Sequence, residues 1–392
     1  MLRHADVESV LKAPATFSSW LGATQIRDPA TTEALGYVRQ MMLNMDPPEH
    51  ARLRRLLGRS FTPRAVARLE DRIRGHARAI VDRVLGDAPG GECDFAKDVA
   101  ADLPLLTLAD ILGMPEQDRY LLFDWSNRVI GYQDPDYASS ADFDPSSGTR
   151  LASEAVRMRP VPGPDGRLPD PRTREGMPDL YAYAHLLADE KRRRPGDDVM
   201  SILLVQVDDE GGQVSIPEFE NLFWLFAVAG NETLRNGLPG GMIALLEHPQ
   251  AQAALRADPT LLAGAVEEML RWWTPVMTFR RTAAVDCALA GVQISAGDKV
   301  VVSFTSANRD ETVFAEPHRF DIHRHPNPHL AFGHGPHFCL GAHLAKVQMR
   351  ALFAEFIGRT AEVRPAGAPA LLRSNFQRGV KRLPISWRAR AG

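Results

Sequence analysis

Cysteine is scarce in this chain, and this scarcity excludes several protein classes. The 392 residues include three cysteines, Cys93, Cys287 and Cys339, which are far apart and odd in number. They cannot form the disulfide framework of a small secreted domain, and they favour a reducing compartment. The net charge is −3, so there is no basic excess of the kind that indicates a nucleic-acid partner.

Long apolar runs and cofactor fingerprints are missing as well. The longest apolar run, 222–230, is far too short to span a bilayer, and residues 1–6 do not resemble a signal peptide. We therefore expect a cytoplasmic protein without a membrane span. The Gly-x-Gly-x-x-Gly fingerprint is absent, so we expect no flavin or NAD(P) site in this chain.

Helical periodicity dominates what is present. Ser215 and Glu218 form a capping box that begins a long apolar helix reaching towards Leu246, and Gly237, Pro239 and Gly240 predict a kink or break in its second half. The spacing also predicts helices at 63–85, 105–130 (two, broken near 113–115), 261–273 and 341–358, and strands at 276–280, 287–289, 292–294 and 300–304. The proline-rich segment 133–178 predicts a long loop or lid without regular structure.

Cys339 is the strongest candidate for chemistry. It lies at the end of a glycine-rich loop just before a predicted helix, where the helix dipole favours the thiolate. Three interpretations compete: a zinc ligand, a buried inert cysteine, or a thiolate ligand of haem iron. Nearby histidines support zinc, but paired-Cys or His-x-x-x-His spacing is absent; they are His329, His334, His337 and His343.

The loop resembles the haem-ligand signature of the cytochrome P-450 (haem-thiolate monooxygenase) superfamily, Phe-x-x-Gly-x-His/Arg-x-Cys-x-Gly. Phe332, Gly335, His337, Cys339 and Gly341 fill every position of that signature. The resemblance implies haem b with Cys339 as the axial iron ligand, and O₂ as co-substrate. It also implies a mainly α (α+β) triangular fold with small β-sheets, in which the haem lies between the long central helix and the helix of the Cys loop.

A second match is Glu268-x-x-Arg271, the Glu-x-x-Arg of the family. An isolated pair at this spacing is often a solvated surface pair. The apolar neighbours here favour a buried pair, which the resemblance assigns to locking the segment before the Cys loop. Arg319 and Arg324 are both candidates for its third member.

A third match concerns the haem carboxylates. His50 and Arg54 share a helix face at i, i+4 spacing, and the alternative for them is a basic surface helix. The resemblance implies that His50, Arg54, Arg281 and His337 bind the propionates. Arg280 is adjacent to Arg281, so the assignment on that strand can be displaced by one residue.

A fourth match is 229–233, which resembles the Ala/Gly-Gly-x-Asp/Glu-Thr pattern of the family. The alternative is a helix that merely tolerates a glycine. The resemblance implies that Gly230 adjoins the haem, that Thr233 and Glu232 deliver protons, and that electrons and O₂ are used. It also implies a pocket for a hydrophobic small molecule, lined by Phe226, Ala229, Val276, Met277 and Phe376.

The remaining expectations also come from the resemblance. Electrons are expected from NAD(P)H through a ferredoxin reductase and a ferredoxin, which docks on a basic patch formed by Arg52, Arg55, Arg59, Lys346 and Arg350. Residues 1–392 are expected to form a single domain that lacks the family's usual N-terminal helix and first strands, with 133–178 as an insert. Weak likeness to sterol, branched-lipid and terpenoid hydroxylases suggests hydroxylation or epoxidation. A degenerate haem-binding protein and a peroxide-driven peroxygenase remain as alternatives.

Overall fold

The computed structural model describes residues 1–131, 148–164, 166, 168–171 and 173–390. It is mainly helical with small sheets, as predicted. The helices are α1 His4–Lys12, α2 Thr32–Val38, α3 Glu49–Ser60, α4 Pro63–Leu85, α5 Asp102–Leu112, α6 Tyr120–Gly131, α7 Arg150–Val156, α8 Pro178–Arg193, α9 Val199–Val205, α10 Ile216–Glu247, α11 Pro249–Ala257, α12 Leu262–Trp273, α13 Phe304–Ala307 and α14 Ala342–Arg359.

The strands are short. They are β1 Phe17–Ser18, β2 Gly90–Asp94, β3 Thr278–Ala283, β4 Cys287–Leu289, β5 Val292–Ile294, β6 Lys299–Ser303, β7 Thr360–Pro365, β8 Ala370–Leu371, β9 Val380–Arg382 and β10 Pro384–Ala389. They form sheets in the orders β1-β3-β6 and β2-β10-β7 and the pairs β4-β5 and β8-β9. Within the described residues, no helix is both long enough and apolar enough to cross a membrane.

The chain divides into two compact units. Unit 1 comprises Met1–Phe17, Glu70–Pro104 and Thr233–Gly392, and unit 2 comprises Ser18–Leu69 and Leu105–Glu232. The expectation of a single domain stays a prediction.

In unit 1, α1 packs on the sheet that contains β3 and β6. Val7, Val10 and Leu11, at helical spacing, contribute one side of this core, and Val300 and Val302 of β6 contribute another. The core includes Leu330, which lies just before the Cys339 loop. The start of that loop is therefore anchored in a packed apolar layer.

Unit 2 is helical around an aromatic cluster. Trp125 of α6 lies 5.5 Å from the ring of Tyr183 and 5.9 Å from that of Phe223. The Trp125 indole N–H donates to the buried Asp179 carboxylate at 2.9 Å. Arg128 pairs with the same carboxylate, so the charge is compensated.

Two predictions about regular structure were wrong in part: no break occurs in the long helix, and the proline-rich segment contains a helix. Helix α10 continues without a break through Pro239, and a Cβ on Gly240 would lie 2.1 Å from the Trp273 ring, so tertiary packing outweighs the low helix propensity there. The 133–178 segment contains α7, and the preceding Thr149 donates to Asp118 at 2.7 Å. The parts of the prediction at 133–147, 165, 167 and 172 lie outside the described residues.

Candidate active site

The Cys339 loop lies between a tight turn at Gly335–His337 and α14. The Cys339 side chain is exposed, and its backbone N–H donates to the Phe332 carbonyl at 2.9 Å. Gly335 has a φ of +68°, and a Cβ there would lie 2.5 Å from the Leu11 carbonyl oxygen, so only glycine fits. The loop is fixed at both ends and presents the thiol just before a helix N-terminus, where a thiolate is favoured.

Phe332 is held by a small charged cluster. The Lys346 ammonium lies 5.4 Å from the centre of the Phe332 ring. The Glu267 carboxylate pairs with Lys346 at 2.7 Å and with His329 at 2.9 Å. Burial raises the pKa of Glu267, but hydrogen bonds from His329 and Lys346 outweigh this effect, so the pKa is lowered overall. The sequence analysis missed this cluster, and adjacency to Glu268 was the only signal for it.

The Glu268–Arg271 pair is completely buried, with both side chains 0% exposed. The interpretation as a solvated surface pair is therefore excluded. Arg324 donates to Glu268 at 3.2 Å, whereas Arg319 contributes only its backbone carbonyl, which accepts from Arg271 at 3.1 Å. The structure thus selects Arg324 as the third charged member.

Two cationic candidates for the carboxylates of a haem lie in unit 1. Arg281 in β3 is 2% exposed, and one N–H of its guanidinium group donates to the Arg280 carbonyl at 2.9 Å. Arg280 is also buried and donates to Thr282 at 3.2 Å. Neighbouring residues of a strand point to opposite faces, so only one of the two arginines shares a face with any ligand. His337 ends the turn before Cys339 and is half-buried.

The other two candidates lie on α3 in unit 2. His50 is 2% exposed and Arg54, one turn later, is half-buried. Their i, i+4 spacing is retained because α3 is regular over Glu49–Ser60. The expected pairing of the two on one helix face is therefore confirmed, while their role stays a prediction.

Helix α10 arranges the 226–233 residues by face. Phe226, Ala229, Gly230 and Thr233 follow the i, i+3, i+4, i+7 pattern, and all four are partly or fully exposed. Glu232 is 1% exposed and lies about 100° around the helix from Thr233. The helix thus presents the alcohol on its accessible face and the acid on its buried side.

The two glycines expected at the haem differ in how much space the structure leaves for a side chain. A Cβ on Gly230 would lie 3.2 Å from Leu108, which is tighter than ordinary contact. A Cβ on Gly341 would lie 4.0 Å from the Cys339 sulfur, an ordinary van der Waals distance. The packing requirement is therefore stronger at Gly230.

Three of the residues predicted to line a pocket form one apolar wall in unit 1. The Met277 N–H donates to the Phe376 carbonyl at 2.9 Å, and Val276 forms a bridge with Gln377. The Phe279 ring lies 5.7 Å from the Phe376 ring and extends the wall. Val276, Met277 and Phe376 thus lie in adjoining segments of the chain, and their role in lining a pocket stays a prediction.

The basic patch predicted on α3 is covered by carboxylates. Arg52, Arg55 and Arg59 form ion pairs with acidic residues of unit 2: Asp208, Asp209 and Glu218. Lys346 is paired with Glu267, and Arg350 is half-buried. The sequence spacing did not predict these ion pairs, because the carboxylates are far from the arginines along the chain.

A polar cluster in unit 2 was also missed. The hydroxyl groups of Tyr37 and Tyr181 lie 2.5 Å apart, and the Tyr181 ring lies 4.2 Å below the Arg174 guanidinium. Burial raises the pKa of Tyr37 to about 12. Arg174 also pairs with Glu220 at 2.6 Å. The cluster links α8 and α10 to the segment around α2, and its members are too distant in sequence to form a recognisable motif.

The zinc interpretation of the loop gains no support. Across the residues that the structure describes, no group of three or more His, Cys, Asp or Glu side chains is placed to hold a metal ion. His329 and His343 instead pair with Glu267 and Glu70, at 2.9 and 2.7 Å.

Comparison with known proteins identifies the family. The family model described as "Cytochrome P-450" matches residues 183–360. A steroid C26-monooxygenase of Mycolicibacterium smegmatis is 37% identical over 98% of this chain and 82% of its own length. A methyl-branched lipid omega-hydroxylase of Mycobacterium tuberculosis is also 37% identical, over 99% of this chain and 83% of its own.

The comparison with solved structures gives the same family. A Mycobacterium marinum cytochrome P-450 in complex with pseudoionone has a TM-score of 0.83 and 38% identity, covering 98% of this chain and 86% of that chain. A Bacillus megaterium cytochrome P-450 in complex with testosterone has a TM-score of 0.78 and 30% identity, covering 100% and 93%. With this identity over nearly its whole length, the chain belongs to the cytochrome P-450 family of haem-thiolate monooxygenases.

Proposed function

We propose that this monooxygenase inserts one atom of O₂ into a C–H or C=C bond of a steroid or a methyl-branched lipid. Its electrons come from NAD(P)H through a ferredoxin reductase and a ferredoxin. The observation that carries the proposal is the Cys339 loop, because a fixed, exposed thiol before a helix N-terminus suits a soft thiolate ligand. The substrate class follows the names of two relatives, the steroid C26-monooxygenase and the lipid omega-hydroxylase.

The donor groups of the chain fit a haem. A thiolate suits iron, and buried guanidinium and imidazole groups suit two carboxylates. We assign Cys339 to the iron, and His50, Arg54, Arg281 and His337 to the propionates. Phe332, Gly230 and Gly341 complete the cofactor-binding set. Haem bound through a thiolate supplies the activation of O₂ that the reaction needs.

Thr233 and Glu232 have separate tasks in this proposal. The Thr233 hydroxyl, on the accessible face of α10, holds a proton at its oxygen by hydrogen bonding. The Glu232 carboxyl, on the buried side, receives protons and passes them towards that hydroxyl. Replacing either group should leave substrate binding intact and divert electrons from product to hydrogen peroxide.

The wall of Val276, Met277 and Phe376 selects the substrate by excluding water. Its apolar surface binds hydrocarbon and leaves a polar molecule without hydrogen-bond partners. Phe226 and Ala229 offer a similar face on α10. A steroid with an aliphatic side chain and a methyl-branched fatty acid both offer hydrocarbon surface to this wall.

The first test concerns the iron ligand. The reduced carbonyl adduct of the haem-loaded protein should show the red-shifted Soret band of thiolate ligation. Cys339→Ser should lose that band, and the matched control Cys287→Ser should keep it. A red-shifted band in Cys339→Ser, or none in the parent protein, contradicts the assignment.

The second test concerns the substrate and the oxidant. Titration with cholesterol-type steroids and methyl-branched fatty acids should produce a high-spin shift of the ferric Soret band, whereas polar sugars should not. Product should form with O₂, NAD(P)H, ferredoxin and reductase, at a rate above that with hydrogen peroxide alone. Faster turnover with peroxide would favour a peroxygenase, and no turnover under either condition would favour a degenerate haem protein.

A further inference from the structure

The outer face of α3 carries a row of arginines that meets a carboxylate turn of the same unit. The positions 52, 55 and 59 follow one stripe of the helix, and the leucines at 53, 56 and 57 are buried beside it. Arg52 lies 3.2 Å from the Asp208 carboxylate. Arg55 and Arg59 share the Asp209 carboxylate, at 3.4 and 2.8 Å. One carboxylate therefore pairs with two guanidinium groups.

The turn at 207–212 is built to present these carboxylates. The Asp208 N–H donates to the Gly212 carbonyl at 2.8 Å, and the Asp208 carboxylate accepts from the Gly212 N–H at 2.6 Å. Gly211 has a φ of +85°, a conformation that favours glycine. Arg59 also donates to the Val207 carbonyl at 3.1 Å, so the helix contacts the turn backbone.

The ion pairs between α3 and the turn are exposed to solvent, so another carboxylate can replace Asp209 in them. Arg55, Arg59 and Asp209 are 54%, 45% and 59% exposed. Hydrogen bonding and charge attraction from Arg59, with further attraction from Arg55, lower the pKa of Asp209, so it is ionised near neutral pH. Exposed pairs of this kind contribute little to stability, because water screens the charges. A protein that brings carboxylates of its own can therefore replace the turn.

We propose that the turn at 207–212 occupies the arginine face of α3 in the free enzyme as an internal competitor of the acidic electron-transfer protein that is expected to dock there. The inference rests on the proposed ferredoxin supply and adds a regulatory contact to it. His50 and Arg54, assigned to the propionates, belong to the same helix, which is about 10 Å wide. Each docking would deliver one electron from the reduced iron–sulfur cluster, which is thereby oxidised, to the haem that Cys339 and the propionate-binding residues would hold.

The test removes the competitor. Asp209→Asn leaves Arg55 and Arg59 without their shared carboxylate, so the KM for an acidic [2Fe–2S] ferredoxin should fall about fivefold at low ionic strength, with kcat unchanged. Calorimetric titration should show the same gain in affinity. High salt should abolish the difference, because exposed charges are screened. Glu210→Gln is the matched control, since it removes an equal charge from the same turn and leaves these ion pairs in place.

The double variant Asp209→Asn with Arg59→Gln should return the KM to the parent value. Equal KM values for the parent and Asp209→Asn, with ferredoxin binding to both, overturn the competitor but leave the ferredoxin supply standing. An equal gain in Glu210→Gln also overturns it, because net charge alone then explains the effect. If the ferredoxin reduces neither protein although chemical reductant gives both the thiolate-type carbonyl adduct, the docking surface and the ferredoxin supply fail together, while the monooxygenase assignment stands.

Discussion

Arg271→Lys is expected to destabilise the enzyme although it keeps the charge. The Arg271 guanidinium uses all of its N–H donors. Two bond the Glu268 carboxylate at 2.7 Å. The others bond the backbone carbonyls of Asn308, Pro317 and Arg319 at 2.8, 2.9 and 3.1 Å. The side chain therefore connects α12 to three points of the irregular segment that leads to Cys339.

The magnitude follows from the donors that lysine lacks. A guanidinium has five N–H donors in a planar fork, whereas an ammonium group has three on one nitrogen. At least two acceptors lose their partner at a site where Arg271 is 0% exposed, so water cannot replace it. Each buried acceptor left unsatisfied costs about 1–3 kcal/mol, and breaking a buried pair costs about 3–5 kcal/mol. We expect the free energy of unfolding to fall by about 3–5 kcal/mol.

Urea unfolding of the haem-loaded enzyme, followed by far-UV circular dichroism and by the Soret band, measures this loss. Arg319→Lys is the matched control. Its side chain is 61% exposed and pairs only at the surface with Glu316, so the change should cost less than about 1 kcal/mol. If Arg271→Lys is as stable as Arg319→Lys, the lost hydrogen bonds of Arg271 do not contribute the expected free energy of unfolding.

Two further predictions concern Glu267 and Cys93. The lowered pKa of Glu267 means that its contribution to stability is present above its ordinary pKa of 4.5 and is lost as pH falls through the lowered value. Glu267→Gln should therefore be about 1–2 kcal/mol less stable at neutral pH, since bonds to Lys346 and His329 weaken, and should approach the parent protein at an acid pH below the lowered pKa. Urea midpoints at both pH values test this, and a constant gap would contradict it. Burial, with smaller effects from nearby aspartates, raises the pKa of Cys93 to about 12. Iodoacetamide at neutral pH should therefore label Cys93 more slowly in the folded protein than in the urea-unfolded protein, as followed by peptide mass spectrometry. Equal labelling rates would refute the role of burial.

Local patterns in the sequence predicted the parts of the fold that local energetics control. The helix at 63–85 and the strands Cys287–Leu289 and Val292–Ile294 have the predicted bounds. The capping box also forms, because the Glu218 carboxylate accepts from the Ser215 N–H at 2.8 Å. In each case, periodicity or a cap lies within a few residues and no distant contact opposes it.

The failures involve contacts between distant residues. Gly237, Pro239 and Gly240 predict a kink or break, but the Trp273 ring packs against Gly240 and the helix continues without a break. The choice between Arg319 and Arg324 required the path of an irregular segment. No short-range pattern shows that a turn at 207–212 will meet α3. Such contacts depend on tertiary packing, which a single sequence does not display.

Glu267 and Glu268 are neighbours on α12, and both fix the segment that leads to Cys339. Successive residues of a helix point about 100° apart, so the two carboxylates leave α12 in different directions. Glu268 accepts from the Asn327 amide at 3.1 Å, inside the buried lock, while Glu267 meets His329 at 2.9 Å beside Phe332. The chain from 327 onwards is thus fixed to one turn of α12 on two sides before its Phe332 carbonyl accepts the Cys339 N–H. The position of the proposed iron ligand then depends on α12 as much as on its own loop, so changes at Glu267 should alter the thiolate Soret signature as well as stability.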